Sequence, residues 1–257
     1  MPLASERVAL RHATPERQLA RLREPQGSDE LALSGVDTRS AVQLLDRLWE
    51  AAPCSAAELS ASDRDGLLCA LHRTLWGDHI VSTVACASCG AMYDLSFELG
   101  ALQRQLAQQA EPAGVQAARQ LSDAQGRHYR LPSATEEELA AQLGAAQGEA
   151  RLCAGVTDEG DGDSEGLNQR LEALAPLVDV ELDTACAECG HAQLARFDIQ
   201  SFTLQRLLEE REGLLGEVHA LASGYGWPLH DIVSLPRSLR RSLVQRLAAA
   251  AAPAAWG

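Results

Sequence analysis

The sequence predicts an α+β fold: two β-hairpin knuckles, a helical insertion between them, and a C-terminal helical subdomain. Three observations predict it. Cys86-Ala-Ser-Cys89-Gly90 and Cys186-Ala-Glu-Cys189-Gly190 are near copies of one turn. Each is flanked by strand-like runs, His79-Ile-Val-Ser-Thr-Val-Ala and Met92-Tyr-Asp-Leu-Ser-Phe for the first, and Val178-Asp-Val-Glu-Leu-Asp-Thr and Ala195-Arg-Phe-Asp-Ile for the second. Leucines recur at helical spacing before, between and after them.

The elements follow in chain order. Residues 1–30 carry scattered Arg, Glu and Pro with little apolar periodicity, and read as a flexible arm. Residues 31–104 hold a helical segment and the first knuckle. Val42, Leu45, Leu48 and Trp49 fall on one helical face. Ser62 with Asp65 reads as the start of a helix carrying Leu67, Leu68, Leu71, Leu75 and Trp76, ended by Gly77. Residues 105–177 read as a mixed helical insertion: a Gln- and Ala-rich helix over 101–122, a short strand at Arg127–Leu131, and a helix from Ser133 to Gln147 with Glu136 completing a capping box. Residues 178–203 hold the second knuckle. Residues 204–247 form the C-terminal subdomain, with one helix through Leu204–Leu221, a break at Gly224-Tyr-Gly-Trp-Pro228, and a last helix opened by Ser234. The Ala-rich tail 248–257 reads as frayed.

The chain has 257 residues, 36 acids and 22 bases, for a net charge of −14. All the bases are Arg, which excludes lysine-based catalysis. The acidity disfavours nucleic acid and anionic membranes as partners, since both are negatively charged. No apolar run reaches the roughly 18 residues of a membrane span, and residues 1–7 lack a signal-peptide core. The expectation is a cytoplasmic protein whose cysteines stay reduced.

The two Cys-x-x-Cys pairs carry the chemistry. Two intervening residues let both sulfurs face one ion, and the following glycine accepts the sharp turn with positive φ. Each knuckle supplies two ligands, so the pairs most simply share one structural Zn²⁺ per chain as a split zinc ribbon, with Cys86, Cys89, Cys186 and Cys189 as a tetrahedral set. The separation of Cys89 from Cys186 far exceeds the usual roughly 15–20 residues, but loop-closure cost grows only logarithmically. Redox-active pairs, structural disulfides and metal-free knuckles are the competing readings. Cys54, Cys69 and Cys153 read as small core residues, and His191 as a surface side chain. Asp161-Gly-Asp163-Ser-Glu165-Gly166 with Glu172 resembles a calcium loop, although the acidic segment 157–166 reads better as a solvated loop. No phosphate-binding glycine loop, nucleophile elbow or metalloprotease motif occurs, so an enzyme is not expected. Tyr225, Trp227 and Leu229 form the best aromatic docking candidate. Arg237, Arg240 and Arg241 cluster on the last helix as a second candidate surface.

Several blocks occur together in one order. They are Ser62-Asp-Arg-Asp-Gly-Leu-Leu-Cys-Ala-Leu-His-Arg-Thr-Leu-Trp-Gly-Asp-His, the two knuckles with Tyr93-Asp-Leu-Ser-Phe and Phe197-Asp, Glu217-Val-His-Ala-Leu-Ala-Ser-Gly-Tyr-Gly-Trp227, and Asp231-Ile-Val-Ser-Leu-Pro-Arg-Ser-Leu-Arg-Arg. The ensemble resembles the T-even-type phage baseplate hub assembly chaperone family, in the form found in gene clusters for phage-tail-like contractile injection systems. The resemblance covers residues 38–100 and, more loosely, 126–247. Two features depart from it: Ala follows the first Cys of each knuckle where Pro is common, and the acidic loop is private to this chain. The resemblance implies a non-enzymatic role in building a baseplate, by binding hub or spike proteins in the bacterial cytoplasm, in association with assembling particles. The rival expectations are a zinc-ribbon regulator binding nucleic acid or the transcription or translation machinery, and a redox or metal-handling enzyme.

Overall fold

The computed structural model describes residues 7–13, 18–111, 114–117, 119–122, 124, 126–156 and 164–251. It is an α+β molecule built around a duplicated β-hairpin–helix unit. The first copy comprises β3 (His79–Ala85), β4 (Met92–Glu98) and α4 (Leu99–Gln109). The second comprises β8 (Asp179–Ala185), β9 (Ala192–Asp198) and α8 (Ile199–Glu209). Every boundary in the second copy lies 100 residues after its counterpart. Both hairpins are antiparallel and in the same register, His79 opposite Glu98 and Asp179 opposite Asp198. The expected repetition of one supersecondary unit extends into the helix that follows each hairpin.

The hairpins face each other through alternate residues. Ile80, Phe97, Val180, Leu182 and Phe197 point into a common core with Ile199 and Leu204. Phe97 and Phe197, equivalent positions in the two copies, meet edge to face with centroids 4.9 Å apart. The same core receives α2 (Thr38–Leu48), with Leu44, Leu45 and Leu48 buried, and α3 (Ala61–Trp76), with Leu67, Leu68 and Leu71 buried.

The start of α3 ties distant segments together. Its cap is Ser60, whose hydroxyl accepts from the Asp63 N–H, rather than Ser62. Three residues of its first five make long-range bonds. Ser62 Oγ donates to the Pro176 carbonyl at 2.9 Å. The Asp63 carboxylate accepts from the Arg11 N–H at 2.7 Å and the His12 N–H at 3.1 Å. Asp65 accepts from the Val178 N–H at 2.8 Å, at the entrance to the second hairpin.

The expected flexible arm over 1–30 is corrected for its described part. β1 (Arg7–Ala9) pairs with β2 (Leu19–Arg21). Val8, Leu10, Ala13, Ala20 and Leu22 are buried in the main core. Three-residue strands with charged outer faces carry too little periodicity to read from sequence, yet their inner side chains remove enough apolar surface from water to dock them. Residues 1–6 and 14–17 lie outside the described residues, as do 157–163 of the acidic loop and 252–257 of the tail. After β2 come α1 (Gly27–Ala32), packed against the C-terminal helices, and α2.

The insertion is less helical at its start than expected. α4 stops at Gln109, and β5 (Gly114–Ala117), β6 (Gln120–Ser122) and β7 (His128–Arg130) form a small antiparallel sheet. Pro112 in the sequence disfavours helix at the residue before it, and Arg119 turns the chain between β5 and β6 with φ of 63°. The Ser133–Glu136 capping box is present, but Gly144, with φ of 80°, splits the expected helix into α5 (Ala134–Ala141) and α6 (Ala145–Cys153). With α7 (Ser164–Leu174), these elements enclose a second core of Leu121, Tyr129, Leu131, Val156, Leu167 and Leu174.

The single helix expected through Leu204–Leu221 is two, α8 and α9 (Arg211–Tyr225), which meet at Glu210; with α10 (Leu229–Val233) and α11 (Arg237–Ala251), which opens at Arg237 rather than Ser234, α9 makes up the C-terminal subdomain. The break between α9 and α10 falls at Gly226, in the left-handed region. Glu24 holds the first turn of α11 by accepting from the Ser238 N–H and hydroxyl. No helix among the described residues is long and apolar enough to cross a membrane.

Arg237 and Arg240 are not the surface expected of them. They are 2% and 1% exposed and bind the same carboxylate, Glu30, at 2.9 and 2.7 Å. Arg240 also reaches Glu217 at 2.6 Å, and Arg237 also pairs with Glu210. Half-exposed Arg241 bridges Glu210 and Glu217 from outside. The cause is charge: three carboxylates, Glu30 on α1, Glu210 at the α8–α9 junction and Glu217 on the helix that follows it, surround three guanidiniums, and an unpaired buried Arg would be far costlier. Burial pulls the Arg237 guanidinium down to about 10, against the opposing pull of Glu30. Trp76 lies beneath both Arg206 and Arg237, 4.6 and 5.4 Å from its ring centre.

Two outcomes are expected. Glu30→Gln removes the charge shared by two buried guanidiniums, leaving Arg240 to Glu217 and Arg237 to Glu210, and lowers stability by roughly 1–3 kcal/mol in chemical denaturation. Burial pushes the Asp65 carboxyl up to about 7; the Val178 N–H and Arg64 oppose this, while Asp198 and Glu137 reinforce it. The folded protein thus holds a proton on Asp65 that the unfolded chain releases near pH ~4. That contribution to stability is complete below pH ~4 and is lost as pH rises through about 7. Asp65→Asn flattens the stability curve across this window by up to about 1.4 kcal/mol per pH unit, measured by urea denaturation of both proteins at matched pH values.

Candidate metal centre

The two knuckles are built alike. In each, the first Cys donates its N–H across the turn, Cys86 to the Ala91 carbonyl at 2.9 Å and Cys186 to the His191 carbonyl at 3.0 Å. In each, the Gly N–H returns to the carbonyl of the first Cys, at 2.9 Å for both Gly90 and Gly190. The two glycines have φ of 73° and 71°, the left-handed conformation that the Cys-x-x-Cys-Gly spacing requires.

These turns bring Cys86, Cys89, Cys186 and Cys189 together, with all four sulfurs within 4.8 Å of one another. The pairs in contact cross between the hairpins: Cys86 Sγ lies 3.6 Å from Cys189 Sγ, and Cys89 Sγ 3.8 Å from Cys186 Sγ. A disulfide would hold its sulfurs near ~2.05 Å, so the cysteines are free. Tetrahedral coordination with metal–sulfur bonds near 2.3 Å separates neighbouring ligands by about 3.8 Å. The spacing is that of a ligand shell. The site is therefore compatible with a structural metal ion, as the sequence anticipates, and all four expected ligands converge. His191 stays at the surface and contributes its backbone carbonyl. Cys69 is buried in the main core, while Cys54 and Cys153 are half-buried at the edges of the two cores.

Electrostatics make a cation fitting. The amide N–H of Cys89, followed by that of Ser88, draws the Cys86 thiol down to about 6. The Ala91 N–H pulls Cys89 the same way, but the crowded Cys189 and Cys86 sulfurs push it up to about 12. Four adjacent sulfurs cannot all be thiolates without a positive charge among them, and a divalent ion supplies it.

Two residues beside the cluster were not anticipated, and they occupy equivalent positions in the two copies. Tyr93 packs under the site against Cys86 and Cys186. Gln193 clamps the first knuckle from the second hairpin: its carbonyl accepts from the Ala87 N–H at 2.8 Å and its amide donates to the Ala85 carbonyl at 3.0 Å. The only signal available was position, since each falls four residues beyond the second cysteine of its knuckle.

The aromatic candidate surface lies apart, on the C-terminal subdomain. Tyr225 and Trp227 stack at 4.8 Å and are 40% and 38% exposed, beside Leu229 at 59%. The sequence offers these three residues as the best aromatic docking candidate, with capping of the core between two helices as the competing role for Trp227.

Fold and site together define an α+β protein in which two copies of a hairpin–helix unit meet at a four-cysteine cluster. No family model, curated protein or solved structure matches the chain.

Gln193→Ala removes both clamp bonds and is expected to cost about 1–3 kcal/mol. Equilibrium unfolding monitored with the metal bound measures it, and an unchanged midpoint would mean that water replaces the clamp without loss.

Proposed function

We propose that the protein is a non-enzymatic assembly factor, chaperone-like or a minor component, for the baseplate of a contractile phage tail or tail-like injection system. It acts by protein–protein binding on a zinc-stabilised scaffold. The observation that carries this reading is the crossed cluster of Cys86, Cys89, Cys186 and Cys189. Four thiolates suit Zn²⁺ and close its coordination shell, leaving no open position for substrate. Ligand binding there becomes folding free energy and fixes the two hairpin–helix units relative to each other.

The family resemblance supplies the partner class, hub or spike proteins met in the bacterial cytoplasm. The exposed Tyr225–Trp227 stack with Leu229 supplies a docking surface of the residue types that dominate binding hot spots. Arg241 borders the neighbouring ion network and remains half-exposed, whereas Arg237 and Arg240 serve the interior. The rival zinc-ribbon regulator is disfavoured by charge. Asp94 stands on the exposed face of the first hairpin and Glu181 and Asp183 on that of the second, where they repel a phosphate backbone.

Elemental mass spectrometry of protein purified without added metal is expected to find one zinc per chain. Cys86→Ser and Cys186→Ser should each abolish it together with thermal stability. No zinc, or two independently lost ions, overturns the shared site. Co-expression with the hub and spike proteins of a contractile particle should yield a stable complex. Trp227→Ala should weaken that complex by at least about tenfold while leaving zinc content unchanged. Salt-sensitive DNA or RNA binding in place of such a complex would favour the regulator.

A further inference from the structure

We propose that the four cysteines form a peroxide-responsive switch that exchanges a metal cross-link for two disulfides, Cys86–Cys189 and Cys89–Cys186, both crossing between the hairpin units. The inference rests on reading the cluster as a structural zinc site and adds a covalent chemistry to it.

Three observations carry it. First, the cluster is divided by exposure: Cys89 and Cys189 are open to solvent, while Cys86 and Cys186 are buried. Second, each exposed sulfur lies against the buried sulfur of the opposite knuckle, at 3.6 and 3.8 Å, against about 2.05 Å in a disulfide. Third, Gln193 holds the knuckles together through the backbone of Ala85 and Ala87, independently of any ion. The crossed pairs therefore stay juxtaposed when the ligands are oxidised.

The chemistry balances. Hydrogen peroxide transfers one oxygen to the exposed Cys89 thiolate: its O–O bond breaks, a sulfenic acid forms and hydroxide leaves. The buried Cys186 thiolate attacks that sulfur, so the S–S bond forms, the S–O bond breaks and a second hydroxide leaves. A second peroxide does the same for Cys189 and Cys86. Four thiolates lose four electrons to two peroxides, and the four hydroxides take protons from solvent to become water. The divalent ion leaves unchanged, having lost its ligands. A dithiol reductant runs the exchange backwards. In both states the two units remain cross-linked, by a cation in one and covalently in the other.

The test starts by measuring the zinc content of the purified full chain, then titrates the protein with hydrogen peroxide. Released zinc is followed with a chromogenic chelator, remaining thiols are trapped with N-ethylmaleimide, and disulfides are mapped by non-reducing digestion and mass spectrometry. The expected result is release of the zinc at two peroxide equivalents per chain, with Cys86–Cys189 and Cys89–Cys186 as the linkages, and recovery on adding dithiothreitol and zinc. Cys89→Ser should still form Cys86–Cys189; if that variant does not fold, the map of the unsubstituted protein decides alone. Linkages within a knuckle, linkages between chains, or sulfinic and sulfonic acids as the main products overturn the switch. Absence of zinc at the start overturns the metal reading instead, and the disulfide map of that metal-free protein still decides the crossed pairing.

Discussion

The architecture depends on bringing four sulfur atoms from two separate hairpins within 4.8 Å of one another. Crowding pushes the Cys89 thiol up to about 12 while amide N–H groups draw Cys86 down to about 6. A cation among them would offset the mutual repulsion of the sulfurs. That requirement dictates the local design: glycine at positive φ after each second cysteine, matched hydrogen bonds closing each turn, and hairpins in identical register. The apolar core lies at the far end of the hairpins, where Phe97 meets Phe197. The two units thus meet at both ends, through the four-cysteine cluster at the tips and apolar burial at the base.

The duplication is close in backbone and loose in side chains. Between equivalent positions, Cys86 and Cys186, Cys89 and Cys189, Gly90 and Gly190, and Phe97 and Phe197 keep their identity. Elsewhere the copies solve the same problem differently. α8 is capped by Asp198, whose carboxylate accepts from the Gln200 and Ser201 N–H groups, whereas α4 relies on Asp78 reaching the Gly100 N–H. The first unit places an aromatic ring, Tyr93, under the cluster; the second places an amide, Gln193, across it. One copy supplies packing and the other directional bonds, and neither alone provides both.

What the sequence made legible was short-range. The knuckles, their four ligands, both hairpins, the Ser133–Glu136 capping box and the break after Tyr225 depend on residues within a few positions of one another. What it hid was long-range or statistically thin. Arg237 and Arg240 look like a solvated basic face because their partner, Glu30, lies 207 and 210 residues away. The helix cap moved from Ser62 to Ser60 because Ser62, Asp63 and Asp65 are engaged by Pro176, by Arg11 and His12, and by Val178. β1 and β2 are too short for period-two alternation to register. The Gln- and Ala-rich stretch after residue 100 favours helix by propensity, but a proline and a left-handed Arg119 redirect it into a sheet.

The spacing of the ligands also sets an order in time. Cys89 and its partner Cys186 are 97 residues apart. At synthesis rates of about 5–20 residues per second, a nascent chain carries the first pair for several seconds before the second emerges. During that interval the first hairpin offers only half a coordination shell and one wall of a sandwich. The segment made meanwhile is the insertion, which has its own small core. Glu30 waits longer still, since both its arginines lie on the last helix. The contacts of Glu30 therefore close only after the last helix is made.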